Sequence, residues 1–135
     1  DVPPATPWHH HLTKQSGEPA ARLVPDVEPN ASTVVASVSR LSTAEELALH
    51  TRYGVSGALG RYVLQPETGR THQLRVQMMT EAASILGDRI YPTLLPADSE
   101  DFSVPMLLRC TRLEFTDPLS GEARDFRLTD DWPLL

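Results

Sequence analysis

Three features of the sequence predict an α+β fold with a largely antiparallel mixed sheet and packed helices. Residues 31–41 and 59–64 are rich in β-branched and aromatic side chains and partly alternate, the habit of half-buried strands. Beyond Gly69 the apolar residues Leu74, Met78 and Ala82 recur at helical spacing. Nearer the end, residues 106–115 and 122–128 flank Asp117-Pro118-Leu119-Ser120-Gly121, a turn sequence between two extended runs. The expected sheet gathers strands around Val35, Val63, Leu108 and Phe126, with a helix over residues 73–83 against it.

Taken in order, residues 1–11 place Pro3, Pro4 and Pro7 before Trp8-His9-His10-His11, lack periodicity and read as an extended lead-in. Neighbouring side chains of an extended segment point in different directions, and no Cys, Asp or Glu stands close by at ligand spacing. The histidines are therefore not expected to hold a metal, and Trp8 is expected to pack while they stay solvated. Residues 12–22 are polar, a loop or short ribbon whose Lys14 and Arg22 are ordinary surface cations or contacts to a polyanion. After the 31–41 strand, Ser42 and Glu45 form a capping-box pattern, and a short helix over 47–53 ends at Gly54, an insertion between two strands with His50 exposed on it. The 73–83 helix turns Leu74, Met78 and Ala82 inward and leaves Arg75 at the rim of the core. Gly87-Asp88 suits a sharp turn, Tyr91-Pro92 opens a loop rich in proline and acid, and Trp132 is expected to tether the tail.

With 135 residues, 40% hydrophobic and 22% charged, the chain is read as one domain over 1–135, and its twelve prolines imply several irregular stretches. A lone cysteine, Cys110, excludes an internal disulfide and a multi-cysteine zinc site, and its apolar neighbours suggest packing. No apolar run is long enough to cross a membrane and no signal-peptide layout opens the sequence, so the expected location is the cytoplasm. A net charge of −6 argues against indiscriminate nucleic-acid binding. The arginines are clustered, however: Arg61, Arg70 and Arg75 bracket one stretch while acids gather at 98–101 and 125–131, which allows a local basic face.

That stretch, Pro66-Glu67-Thr68-Gly69-Arg70-Thr71-His72-Gln73-Leu74-Arg75-Val76, holds the densest set of hydrogen-bonding side chains in the chain. Pro66 and Gly69 end a strand, and a helix starts just beyond. The first N–H groups of a helix lack intrahelical partners and its dipole is positive there, so two added arginines make the spot attractive to phosphate or carboxylate. A threonine, a histidine and a glutamine beside such a turn can alternatively serve only to cap the helix.

Thr68-Gly69-Arg70-Thr71-His72-Gln73-Leu74-Arg75-Val76 resembles the TGRTHQ(I/L)RV signature of the RluA family of RNA pseudouridine synthases. Downstream, Ile85-Leu86-Gly87-Asp88-Arg89-Ile90-Tyr91 is similar to that family's P-I-x-G-D-x-x-Y segment, and Leu107-Leu108-Arg109-Cys110 through Asp117-Pro118 to its L-L-H-A-x-x-L-x-F-x-H-P segment. The resemblance implies the C-terminal half of the pseudouridine synthase catalytic fold and an enzyme that isomerises uridine to pseudouridine in ribosomal or transfer RNA. Neither cofactor nor metal is implied. It also implies that Arg75 pairs with the catalytic aspartate, that Leu74 walls the uridine pocket, and that Gly69, Arg70, Thr71, His72 and Gln73 shape the turn beside it. An arginine suits the pairing because its planar fork meets a carboxylate with two parallel hydrogen bonds.

The family's aspartate lies in an H-R-L-D motif upstream of the signature, and residues 1–68 contain no such motif; Asp1 and Asp26 have other contexts. Gln77, Ser84 and Arg109 also depart from the family's usual histidine, proline and histidine. The expectation is therefore a fragment whose N-terminal half is missing and which is inactive alone. A degenerate domain that binds RNA or a partner without chemistry is the alternative. A third reading is an interaction domain whose arginines take a phosphorylated or acidic ligand.

Overall fold

The computed structural model describes residues 7–96 and 104–129. Trp132 and the acids of 98–101 lie outside the described residues. The fold is α+β, with one four-stranded sheet and a separate two-stranded ribbon, both antiparallel throughout. In chain order the elements are β1 (Trp8–Thr13), β2 (Arg22–Val24), β3 (Ala31–Arg40), α1 (Thr43–Tyr53), β4 (Gly60–Pro66), α2 (Gln73–Glu81), β5 (Arg112–Thr116) and β6 (Ala123–Arg127).

The sheet order is β2-β1-β3-β4. Residues 8–11, expected to be lead-in, thus belong to an inner strand: His11 faces Val24 on one side of β1 and His9 faces Ser32 on the other. Period-2 reading missed this strand because its core contact is concentrated at Leu12. His9 is exposed as expected, but the other two histidines are less solvated. His10 donates from Nε2 to Glu81 at 2.7 Å, and His11 Nδ1 meets the Glu28 carbonyl at 2.8 Å.

Ala31, Thr33 and Val35 alternate inward along the first half of β3, as a half-buried strand requires. The register then slips between Val35 and Ser37, a bulge beyond which β3 continues against β4 alone. Between those strands α1 begins with the full capping box of Ser42 and Glu45 and ends at Gly54 in the left-handed conformation, as its sequence predicts.

α2 buries Gln73, Val76, Gln77 and Met78, so the expected Leu74, Met78 and Ala82 face is rotated. Two of those inward residues are polar because β3 supplies partners. Thr33 Oγ1 donates to Gln77 Oε1 at 2.5 Å and accepts from Gln73 Nε2 at 2.9 Å, while Gln77 Nε2 reaches His10 Nδ1 and the Trp8 carbonyl. Every buried polar side-chain atom among the described residues has a partner, as desolvation demands. Around this network Leu12, Ala21, Ala31, Val76 and Tyr91 form the apolar core, joined by Leu23, Met79 and Ile90.

Phe126 does not join the main sheet, and Leu108 lies outside any strand. Among the described residues β5 and β6 pair only with each other, across the predicted turn in which the Gly121 N–H donates to the Asp117 carbonyl at 2.8 Å. Cys110, expected to pack, is exposed.

Candidate active cleft

β4 ends at Pro66 and α2 starts at Gln73, so the residues between must reverse the chain over one short turn. The Gln73 side chain organises that turn from inside. Its Oε1 accepts from Thr68 Oγ1 at 2.7 Å and from the Arg70 N–H at 3.0 Å, and its Nε2 donates to the Ser32 carbonyl at 3.0 Å. Arg70 adds an Nε bond to the Asn30 carbonyl at 3.0 Å, tying the turn to the β1 side of the sheet. His72 then enters the helix with φ 53° and ψ 25°, a left-handed conformation that a side chain adopts only where its surroundings enforce it.

Arg70, His72, Gln73, Leu74 and Arg75 line one shallow cavity of about 240 Å³, to which Leu108 contributes from far along the chain. Of the residues expected there, Thr71 is exposed and does not line it. Arg61 is elsewhere: it pairs with Glu45 at 3.3 Å and borders a separate, mainly apolar cavity of about 250 Å³ between α1 and β4. The basic face is therefore made by Arg70 and Arg75 without Arg61.

Arg75 has a carboxylate partner within the chain. Its Nε and Nη2 donate to the two oxygens of Asp88 at 2.9 and 2.7 Å, and its guanidinium lies 5.2 Å from the centre of the Tyr91 ring. Asp88 also accepts from the Ile90 and Tyr91 N–H groups at 2.9 and 3.0 Å. Burial by itself would raise the Asp88 carboxyl, but the Arg75 fork and these two amides outweigh it and hold the group below its ordinary value. The Asp88 bonds in turn raise Arg75. Gly87 makes the approach possible: at φ 78° it sits against the Pro105 backbone, where an added Cβ would collide.

Tyr91 links this pair to His72. Its hydroxyl accepts from the Ala21 N–H at 2.6 Å and lies 2.9 Å from His72 Nδ1, with the two rings edge to face. Burial, and then the charge of Arg75, lower the His72 pKa, which favours a neutral imidazole at pH 7. Asp88 and Tyr91 are the residues that sequence reading missed as members of the site. Their only signal was the Gly87-Asp88 and Tyr91 match to a family segment, read for the resemblance and for its turn but not for a place in the site.

The cleft combines two arginines, a neutral histidine and an apolar wall, a donor-rich surface suited to an anionic or carbonyl-bearing ligand. Among the described residues, no group of three or more His, Cys, Asp or Glu is placed to hold a metal ion, and no helix is long and apolar enough to cross a membrane.

No family model matches the chain, and no solved structure matches it significantly. Curated proteins do. The chain is 38% identical over 72 residues to the dual-specificity RNA pseudouridine synthase RluA of Escherichia coli strain K12, a match covering 53% of this chain and 32% of that one. Its counterparts in Salmonella typhimurium and Haemophilus influenzae are 36% and 35% identical over 72 residues, again 32% of each. The chain is thus related to the RNA pseudouridine synthases. Within them its kinship is to RluA, about a third of whose length the match spans.

Proposed function

We propose that this chain is the C-terminal part of an RNA pseudouridine synthase that acts in the cytoplasm on ribosomal or transfer RNA. Polypeptide outside the chain supplies the catalytic aspartate. The observation that carries the reading is the convergence of Arg70, His72, Gln73, Leu74 and Arg75 of the signature on one cavity. In the reaction the bond from ribose to the uracil nitrogen breaks and the base rejoins through carbon 5. A base within folded RNA must first be extruded, which calls for phosphate contacts beside a base pocket. Arg70 suits the phosphate, and Leu74 and Leu108 suit the face of the base.

Arg75 keeps a role toward the incoming aspartate despite Asp88. A guanidinium carries five N–H bonds, and Asp88 uses the edge made by Nε and Nη2. The end-on edge, made by Nη1 and the second Nη2 proton, is left for another carboxylate. Pairing there holds that aspartate ionised and oriented, as nucleophilic attack requires.

Release of tritium from carbon 5 of labelled uridine in RNA tests the reading. The chain alone is expected to be inactive, and the same chain joined to a segment bearing H-R-L-D is expected to release tritium. Activity from the chain alone would overturn the external aspartate. A joined protein that binds RNA yet stays inactive would favour a binding domain of the same fold.

A further inference from the structure

The described cavity offers donors and few acceptors. The amide oxygen of Gln73 is already used by Thr68 and Arg70, and Asp88 by Arg75, Ile90 and Tyr91. What remains on the cavity side depends on how His72 and Arg75 are held, and both are held by the same short segment.

The Tyr91 hydroxyl has one proton. Its oxygen accepts from the Ala21 N–H, so the proton goes either to His72 Nδ1 at 2.9 Å or to the Ala21 carbonyl at 3.4 Å. The shorter contact is the better bond, and choosing it makes Nδ1 an acceptor. His72 then carries its proton on Nε2. For Arg75, the Asp88 fork fixes the plane of the guanidinium and the Tyr91 ring supports one face. With the side chain of Asp88 only 1% exposed, the carboxylate end of this anchor is shielded from water.

We propose that Asp88 and Tyr91 form one positioning unit, which sets His72 in its Nε2–H tautomer and turns the end-on edge of Arg75 toward the cavity, so that the cleft selects groups bearing acceptor oxygens. That these oxygens belong to RNA rests on the function proposed above; the positioning itself does not.

Tyr91→Phe is the sharpest probe, because it keeps the ring beneath Arg75 and removes only the hydroxyl. Nitrogen-15 correlation spectra of the imidazole side chains report the tautomer directly, a signature that a merely structural role for Tyr91 would leave unchanged. The full chain is expected to show His72 as Nε2–H, and the variant a mixture of both tautomers, with the amide spectrum otherwise preserved. Affinity for a single-stranded uridine-rich RNA oligomer is expected to fall about threefold to tenfold, the loss of one oriented hydrogen bond. A second variant, Asp88→Asn, is expected to abolish the slowly exchanging Arg75 Nε–H resonance. An Nδ1–H tautomer in the unmodified chain, or an unchanged tautomer in Tyr91→Phe, would overturn the positioning. The expected tautomers without any RNA affinity would support the positioning and refute the proposed function.

Discussion

Arg75 and Asp88 form a two-bond ion pair at 2.9 and 2.7 Å in which the aspartate side chain is 1% exposed and the arginine 15%. Joining the first turn of α2 to the segment that follows it, the pair is as much a structural clamp as a feature of the cleft. Removing one partner of such a pair strands the other, which costs more than the pair's net contribution to stability. Asp88→Ala leaves Arg75 and the two amides of Ile90 and Tyr91 without their acceptor. A loss of about 3 kcal/mol is expected, the low end for a buried pair because Arg75 can still reach water. Urea unfolding measures it, and a change under about 1 kcal/mol would show the clamp to be dispensable.

Acid is expected to weaken the fold in two steps. His72 has a folded pKa below its unfolded value, so its contribution is complete above about pH 6.5 and is lost as pH falls toward the folded value. Asp88 has the same sign for a different reason: the Arg75 fork and backbone donors overcome burial, and its contribution is complete above about pH 3.9 and is lost below. Below about pH 4 the stability difference between the unmodified chain and Asp88→Asn should therefore shrink. Denaturation midpoints across that range check the sign. A difference that grew below about pH 4 would contradict it.

What the sequence made legible was local. The capping box of α1, its stop at Gly54 and the turn from Asp117 to Gly121 depend on residues a few positions apart, and each formed as expected. The Gly69 turn and the start of α2 were legible for the same reason. Strand partnership was not, because β1 owes its place to β2 and β3 rather than to its own pattern, and β5 to β6 pairing does not reveal that the ribbon stands apart. Within the cleft, Arg70, His72, Leu74 and Arg75 could be found from their motif. Asp88 and Tyr91 acquire their roles only when the chain folds back 13 residues to Arg75 and 19 to His72. Binary patterning also misjudged α2, where Gln73 and Gln77 are buried by hydrogen bonding rather than by apolar contact.

Gln77 illustrates the cost of that polar face. It is fully buried and bonds to Thr33, to His10 and to the Trp8 carbonyl. Gln77→Leu has similar size but leaves those groups without their partner, so a loss of about 2–4 kcal/mol is expected despite the more apolar side chain. Adding Thr33→Val removes the hydroxyl proton left without an acceptor, but also the oxygen that accepts from Gln73 Nε2, so it should recover only part of this loss. A double-mutant cycle measures the coupling, and strictly additive losses would show that the two side chains act independently.

Arg70 and Arg75 should separate in their response to salt when RNA binds. The Arg70 side chain is exposed and, among the described residues, is held by the one bond from Nε to the Asn30 carbonyl, which leaves its outer N–H groups for a phosphate. A cation that neutralises one phosphate releases a counterion, so Arg70→Gln should weaken binding to all sequences alike and reduce the slope of log K against log salt by about 0.7 for single-stranded RNA. Arg75→Lys keeps the charge but loses the fork to Asp88, so the slope should stay unchanged while the fold loses stability. Fluorescence anisotropy at several potassium chloride concentrations supplies both slopes, with unfolding curves confirming that each variant is folded under the conditions used. An unchanged slope for Arg70→Gln would remove Arg70 from the phosphate path. A reduced slope for Arg75→Lys would mean that the planar fork of Arg75, rather than its charge alone, meets the RNA backbone, and would move Arg75 from orienting a carboxylate to holding a phosphate.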